Sequence, residues 1–273
     1  GLLLLLLGYG LNLVKGFLPI TIARNILGWN ESLLPSLYTP YYLIFNVEIL
    51  MMAGLSYIAM GWISSLTTRP VAILLMALTV VIVSPFLWGR GEEIPLLKHL
   101  LNPVWGGDPD LVIFPFFPWF SYPLLGMAAG EIYKRDYEVK RLRNISLMAG
   151  SALLLIGGLM LFINFERFFH DYGQQSWGAV IAFSGFLFLW GNLIYLIQRI
   201  YPGGMKTGLL KFFSRKLTLI YCLQWIIIGW LFFLIPFHSL SMGLVLLTSL
   251  GVILTLWGTL FVIDRINLRK AAA

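Results

Sequence analysis

The residues of this chain with the means to do chemistry are polar or ionisable side chains set inside apolar runs. Glu48 lies in Phe45-Asn46-Val47-Glu48-Ile49-Leu50. It falls about seven residues into an apolar run, and so ~10 Å below the run's outer end by helical rise. A carboxylate there is costly in hydrocarbon, and such residues usually face a cavity or a partner. Two readings are open: an acceptor-binding or proton-handling group, or an acid paired with Lys or Arg that holds helices together. His99, between Pro95 and Pro103, has the chemistry of a general base; a plain interfacial histidine is the alternative. Glu48 and His99 are the candidate catalytic residues. His170 and His238 read as ordinary loop residues, and Glu131 as an interfacial acid beside Lys134 and Arg135. Tyr221 and Gln224 stand one turn apart in a later apolar run. They face a cavity or make an interhelical hydrogen bond. With 3 His and 1 Cys (Cys222) there is no metal-ligand cluster, and no metal is expected. Phosphate-loop and nucleophile-elbow motifs are absent.

The elements that must position these groups are apolar helices. Hydrophobic residues make up 59% of the 273 and charged residues 11%, against ~25% charged in soluble globular chains. Runs of spanning length fall at 1–18, 41–62, 70–89, 111–133, 145–165, 176–198, 216–235 and 239–263. They are continuous rather than alternating, which favours helices over a transmembrane barrel. The expected fold is all-α, a polytopic membrane helix bundle with about eight transmembrane helices in a single transmembrane domain, 1–273. The outer loop 90–110 is expected to hold a short interfacial or re-entrant helix. Gly126 and Gly130 form a GxxxG pair, which usually marks close helix packing.

Charge sets the direction. Loops 134–143 and 199–216, Arg69 and the tail with Arg265, Arg269 and Lys270 carry most of the Lys and Arg; the alternate loops carry Glu31, Glu92, Glu93, Asp108, Asp110, Glu166 and Asp171. The alternation places both ends in the cytoplasm. The net charge of +7 is thereby a matter of orientation, and no nucleic acid partner is expected. Arg69, Lys134, Arg135, Arg215 and Lys216 all fall on the cytoplasmic side. They suit the phosphates of a nucleotide-like donor, or serve as orientation charges that contact anionic membrane lipids.

Phe114-Pro115-Phe116-Phe117-Pro118-Trp119-Phe120-Ser121-Tyr122-Pro123-Leu124-Leu125-Gly126, continuing to Gly130, resembles the "FPxFPWxxYxLLGxxxG" run of the heparan-α-glucosaminide N-acetyltransferase-like family of membrane acyltransferases. Leu4-Leu5-Leu6-Leu7-Gly8-Tyr9-Gly10-Leu11-Asn12 looks like its "LLLLGxxLN" helix. Val47-Glu48-Ile49-Leu50 with Gly54-Leu55 looks like its "vDILqfxGL" segment, with Glu for Asp. The run from Phe213 to Gln224 looks like its "G+xSLtlYllH" helix, with Gln224 where His is common.

The resemblance implies an enzyme that takes an acetyl group from acetyl-CoA, or an acyl group from another acyl-CoA, on the cytoplasmic side. The group passes to a sugar amine or hydroxyl outside, with a histidine as acyl carrier or base. It adds Asn12, Trp119 and Tyr122 to Tyr221 and Gln224 as substrate-binding candidates, and gives the five cations above to the donor. The family's catalytic His lies before the "LLLLGxxLN" helix, and the run 1–18 is short for a span, so the native chain is expected to begin earlier. The alternative function is a non-catalytic acyltransferase-like scaffold or accessory subunit of a membrane complex. Expected partners are membrane lipids, a glycan or lipid-linked sugar acceptor, and a homodimer or larger membrane complex. The expected location is the cytoplasmic membrane of a prokaryote.

Overall fold

A computed structural model describes residues 1–26, 43–91, 94–107, 112–135, 138–201, 208–231 and 240–272. Among these residues the chain is helical and has no β-strand; its extended pairings are two isolated bridges, Val47 with Val112 and His170 with Gln175. Among the described residues six helices are long and apolar enough to cross a membrane: Leu2–Asn25, Ile49–Leu66, Pro70–Leu87, Val139–Ile163, Trp177–Ile200 and Met242–Ile263. The chain is an all-α, multi-pass membrane protein. Two further apolar helices, Ser121–Tyr133 with 13 residues and Leu217–Leu231 with 15, are shorter than the ~20 residues a span needs. Against the expected count of about eight, six helices among the described residues have full spanning length.

We label the helices α1 (Leu2–Asn12), α2 (Leu18–Asn25), α3 (Ile49–Leu66), α4 (Pro70–Leu87), α5 (Pro95–Trp105), α6 (Phe116–Trp119), α7 (Ser121–Tyr133), α8 (Val139–Ile163), α9 (Phe165–Phe169), α10 (Trp177–Ile200), α11 (Gly208–Arg215), α12 (Leu217–Leu231) and α13 (Met242–Ala272). A π-helical stretch, Leu13–Phe17, joins α1 to α2. The chain divides into two compact units. One comprises Gly1–Gly8 and Asn46–Gly204, the other Tyr9–Phe45 and Met205–Ala273.

In the first unit, α8 and α10 form the closest helix pair. Lipid tails are as apolar as leucine, so helices gain little by hiding apolar surface from lipid and must instead approach closely. Small residues allow this here. A Cβ on Gly157 would collide with the backbone of Ala182, and one on Gly185 with the backbone of Leu154. The Asn192 amide adds a crosslink, donating to Ser146 Oγ at 2.9 Å. A second pair, α4 with α7, buries Ile73, Ala77 and Val80 against Phe120, Leu124 and Ala128. Large apolar side chains such as Phe162, Met148 and Trp62 point outward. In lipid that is a solvated face, not a liability. The hydroxyls of Thr79, Thr248, Thr255 and Thr259 bond back to carbonyls one turn earlier, so no partner outside the helix is needed in hydrocarbon.

The structure departs from the expected spans in four places. The run 1–18 does not end near Leu18, because helix continues to Asn25, with Lys15 well inside it. The run 41–62 is not one helix. Residues 43 and 44 are helical, 45–48 are not, and α3 starts at Ile49; residues 41–42 lie outside the described residues. The run 111–133 is broken by its prolines. A residue before proline is driven towards extended backbone, and Phe117 has φ −94°, ψ 125°. Beyond Trp119 the chain therefore starts a new helix, α7. Last, α8 starts at Val139, so Lys140, Arg141 and Arg143 lie on its first turns rather than in a loop. The outer loop holds α5, which runs through Pro103 to Trp105 and stops at Gly106. There φ is +77°, a conformation that glycine adopts without strain.

Candidate functional site

Three stretches of sequence converge beside the broken proline run. The first is the break itself. With helix interrupted at Phe117, backbone groups ahead of the break turn to other partners. The Val47 carbonyl accepts N–H bonds from Ile113 at 3.1 Å and Phe114 at 3.2 Å. This pins the extended link before α3 to the proline run.

The second is the loop between α9 and α10. Its backbone turns sharply at His170, where φ is +65°, rare for a non-glycine residue. The His170 ring stacks on Trp88 at 4.7 Å. Gly173 then packs its Cα against the carbonyls of Val112 and Ile113; a Cβ there would lie 2.8 Å from the latter. The Gly173 carbonyl accepts the Trp119 indole N–H at 2.8 Å. Gln174 is buried and donates its amide to the Gly107 carbonyl at 2.9 Å. Gln175 is buried too, and its Oε1 accepts the Tyr122 hydroxyl at 2.6 Å.

The third comprises the second and third turns of α10. Trp119, Tyr122 and Pro123, Met52 of α3, Tyr172 and Gln175 of the loop, and Phe183, Phe186 and Leu187 of α10 enclose a cavity of about 370 Å³. Trp119 meets Tyr122 at 5.7 Å and Tyr172 at 5.6 Å, and Phe114 closes the cluster edge-on to Trp119 at 4.8 Å. An apolar pocket with a few placed polar groups is the usual form of a small-ligand site. Its walls are aromatic and aliphatic, with the Tyr122 and Tyr172 phenols and the buried Gln175 amide as the polar groups.

Of the residues expected from sequence, Trp119 and Tyr122 sit in this cavity. Glu48 is buried and is the last residue before α3 rather than a residue well inside a helix. It does not line the cavity, but Met52, one turn on, does. His99 is on α5, and its side chain lies outside the described residues. Arg69, Lys134 and Arg135 gather at the far end of the α4–α7 pair. Arg135 donates to the Thr68 carbonyl at 3.2 Å, the Arg69 amide donates to Thr67 Oγ1, and Lys134 pairs with Glu131 at 2.7 Å. Glu131 thus takes the paired interfacial role expected of it.

The remaining candidates belong to the second unit. Asn12 is fully buried and donates Nδ2 to the Ile44 carbonyl at 3.1 Å. Tyr221 meets Trp225 edge-on at 6.3 Å, and Lys15 holds its ammonium 4.5 Å over the Trp225 ring. Gln224 is exposed. Arg215 closes α11, and Lys216 lies over Phe212 at 4.5 Å.

Sequence reasoning missed Tyr172, Gly173, Gln174 and Gln175, and took His170 for a plain loop residue. Two adjacent amides just before an apolar run were the available signal. Tyr122→Phe tests the coupling of loop to helix. It leaves Gln175 Oε1 without its donor, and is expected to cost ~1 kcal/mol, the scale of hydrogen bonds in membrane proteins. Thermal unfolding in detergent reads this as a fall of a few degrees, and an unchanged midpoint would show that the bond contributes nothing.

A family model described as heparan-alpha-glucosaminide N-acetyltransferase, catalytic, matches residues 25–166, just over half of the chain. That stretch holds Glu48, the proline run, α7 and the Arg69–Arg135 cluster. Comparison with curated proteins finds no match, and comparison with solved structures finds none.

Proposed function

The chain belongs to the heparan-alpha-glucosaminide N-acetyltransferase catalytic family, and we propose on that basis that it moves an acetyl group across the membrane to a sugar. The donor is acetyl-CoA, or another acyl-CoA, on the cytoplasmic side. The acceptor is an amine or hydroxyl of an extracytoplasmic sugar or glycan. The observation that carries this reading is the aromatic cavity at Trp119, Tyr122, Tyr172 and Gln175.

In this account Trp119 and Tyr172 stack on the sugar ring, while Tyr122 and Gln175 orient it by hydrogen bonds. The reaction breaks the thioester C–S bond and forms a C–N or C–O bond. The proton of the acceptor passes to a base, and the departing thiolate is protonated to the free thiol. Glu48 and His99 are the candidates for that base. The cations Arg69, Lys134 and Arg135 lie at the opposite end of α7 from the cavity. They would hold the donor's phosphates, as charge-assisted hydrogen bonds do.

The excess of Lys and Arg at the cation end supports a cytoplasmic donor side and an outer aromatic cavity. Sealed inside-out vesicles holding the full-length protein test this sidedness. Labelled acetyl-CoA added outside them should acetylate glucosamine trapped within; acetylation only when the donor is trapped and the sugar is outside would overturn it. In the same assay Arg135→Ala is expected to raise the donor KM about fivefold, the ~1 kcal/mol of one partly screened phosphate contact. A donor KM equal to that of the unaltered protein would remove Arg135 from the donor site.

A further inference from the structure

The aromatic cavity does not end at Tyr122. Tyr122 and Leu187 also line a second cavity, of about 190 Å³, that continues between α7 and α10 past Gly126 and Ala129 to Phe188. Leu125 and Ser184 of that cavity also line a third, of about 330 Å³, bounded by Ala77 and Ile82 of α4 and by Leu153 and Met160 of α8. The first two form one seam along α7 and α10, and the third lies beside it, level with the mouth, at Ser121, Trp177 and Val180. The seam's lining changes with depth. The mouth has Trp119, Tyr122, Tyr172 and Gln175, and below Ser184 the walls are almost wholly aliphatic and aromatic.

The seam also has a definite length. From Tyr122 to Ala129 and from Phe183 to Phe188 the helical rise is roughly 8–10 Å, about a third of the ~30 Å hydrocarbon core. Measured from the polar mouth, the seam stays within one leaflet. Gly126 keeps it open, since a Cβ there would meet nothing within 4 Å. The GxxxG pair was expected to pack two helices closely. Among the described residues, neither Gly126 nor Gly130 meets another helix at such range, and Gly126 borders the void instead.

We propose that the acceptor is amphipathic: a sugar carried on a single-leaflet lipid tail, with the sugar in the aromatic cavity and the tail along the α7–α10 seam. This rests on the reading of the aromatic cavity as the acceptor site, and adds to it the class of acceptor. A freely soluble sugar needs only the mouth. A plain bilayer lipid needs only the apolar depth. A glycolipid uses both, and a seam that stays within one leaflet fits a tail that enters from the same side as the sugar.

The test uses the full-length protein in lipid nanodiscs and a dodecyl glucosaminide carrying a diazirine in its alkyl chain. Photolysis should place adducts on residues 122–129 and 183–188. Unlabelled dodecyl glucosaminide should suppress them, and dodecanol or methyl glucosaminide should do so poorly. Gly126→Leu fills the seam without a backbone clash and should lower labelling about tenfold, the usual scale of overfilling a packed site. Gly191→Leu, another α10 position where a Cβ meets nothing within 4 Å, should label as the unaltered protein does. Adducts spread over outward residues such as Phe162 and Leu246, suppression by dodecanol as strong as by the glycoside, or labelling unchanged in Gly126→Leu would each overturn the proposal. Acetyl transfer to methyl glucosaminide, measured in parallel, separates the two readings. Transfer without seam labelling sinks the lipid tail and keeps the transferase. Seam labelling without any transfer keeps a glycolipid site and sinks the transferase.

Discussion

Replacing Gly185 by leucine is expected to prevent the α8–α10 pair from assembling. A Cβ at this position falls on the backbone nitrogen of Leu154 and lies 2.7 Å from the Gly150 carbonyl. Backbone cannot swing aside as a flexible side chain can, so the two helices must separate. Separation would remove the Gly157–Ala182 approach as well, and with it the Asn192–Ser146 bond. Overpacking costs ~1–3 kcal/mol where a core can adjust. Here the whole helix pair has to move, so a loss of at least ~3 kcal/mol is expected. That is a large part of the ~5–15 kcal/mol that holds a folded domain together. The readout is the yield of monodisperse protein and its thermal midpoint, with Gly191→Leu as the matched control. Native yield and midpoint for Gly185→Leu would mean that the pair does not pack as described.

The second large effect is on the sugar. Trp119→Ala removes the central ring of the cavity and the donor to the Gly173 carbonyl. Buried aromatic anchors carry ~2 kcal/mol or more of a binding energy, so kcat/KM for the acceptor should fall at least about 30-fold. KM for the donor should not move, because the cations lie at the other end of α7. Trp119→Phe separates stacking from the indole hydrogen bond. It keeps a ring and should recover much of the activity. A Trp119→Ala protein with full acceptor kcat/KM would show that the sugar binds elsewhere.

Much of this fold can be read directly from the chain, and the reasons differ by element. The long apolar runs at 70–89 and 176–198 are single helices within a few residues because nothing in them competes with the helical backbone. The proline run is different. Its motif pointed to Trp119 and Tyr122, but hydropathy alone extends a span straight through Pro115 and Pro118. Proline chemistry breaks it, and the break creates the cavity. Glu48 is a similar case. An apolar window places it inside a helix, whereas the pairing of Val47 with Val112, distant in sequence, holds it in an extended link at the start of α3. The charge of Lys15 interrupts an apolar run, yet helix continues through it to Asn25. The π-helical stretch and the Trp225 ring allow Lys15 to remain within the helix.

Glycine shows the limit most clearly. Gly126 and Gly130 match a packing motif and border open space; Gly157 and Gly185 match none and sit at the closest helix contact. Spacing within one helix cannot report which face meets another helix. The loop residues Tyr172 to Gln175 were silent for the same reason. Their roles arise from contacts with residues more than fifty positions away, and no local pattern encodes them.

The central claim is that the aromatic cavity presents a sugar for acetylation. The most direct measurement is transfer of labelled acetyl from acetyl-CoA to a glucosaminide by membranes that hold the full-length protein, with the Trp119→Ala protein alongside at matched abundance. The account predicts time-dependent formation of the acetylated sugar by the unaltered protein, and a rate at subsaturating acceptor lowered at least about 30-fold in the variant. No acetylated sugar from either protein, or equal rates from both, would contradict it.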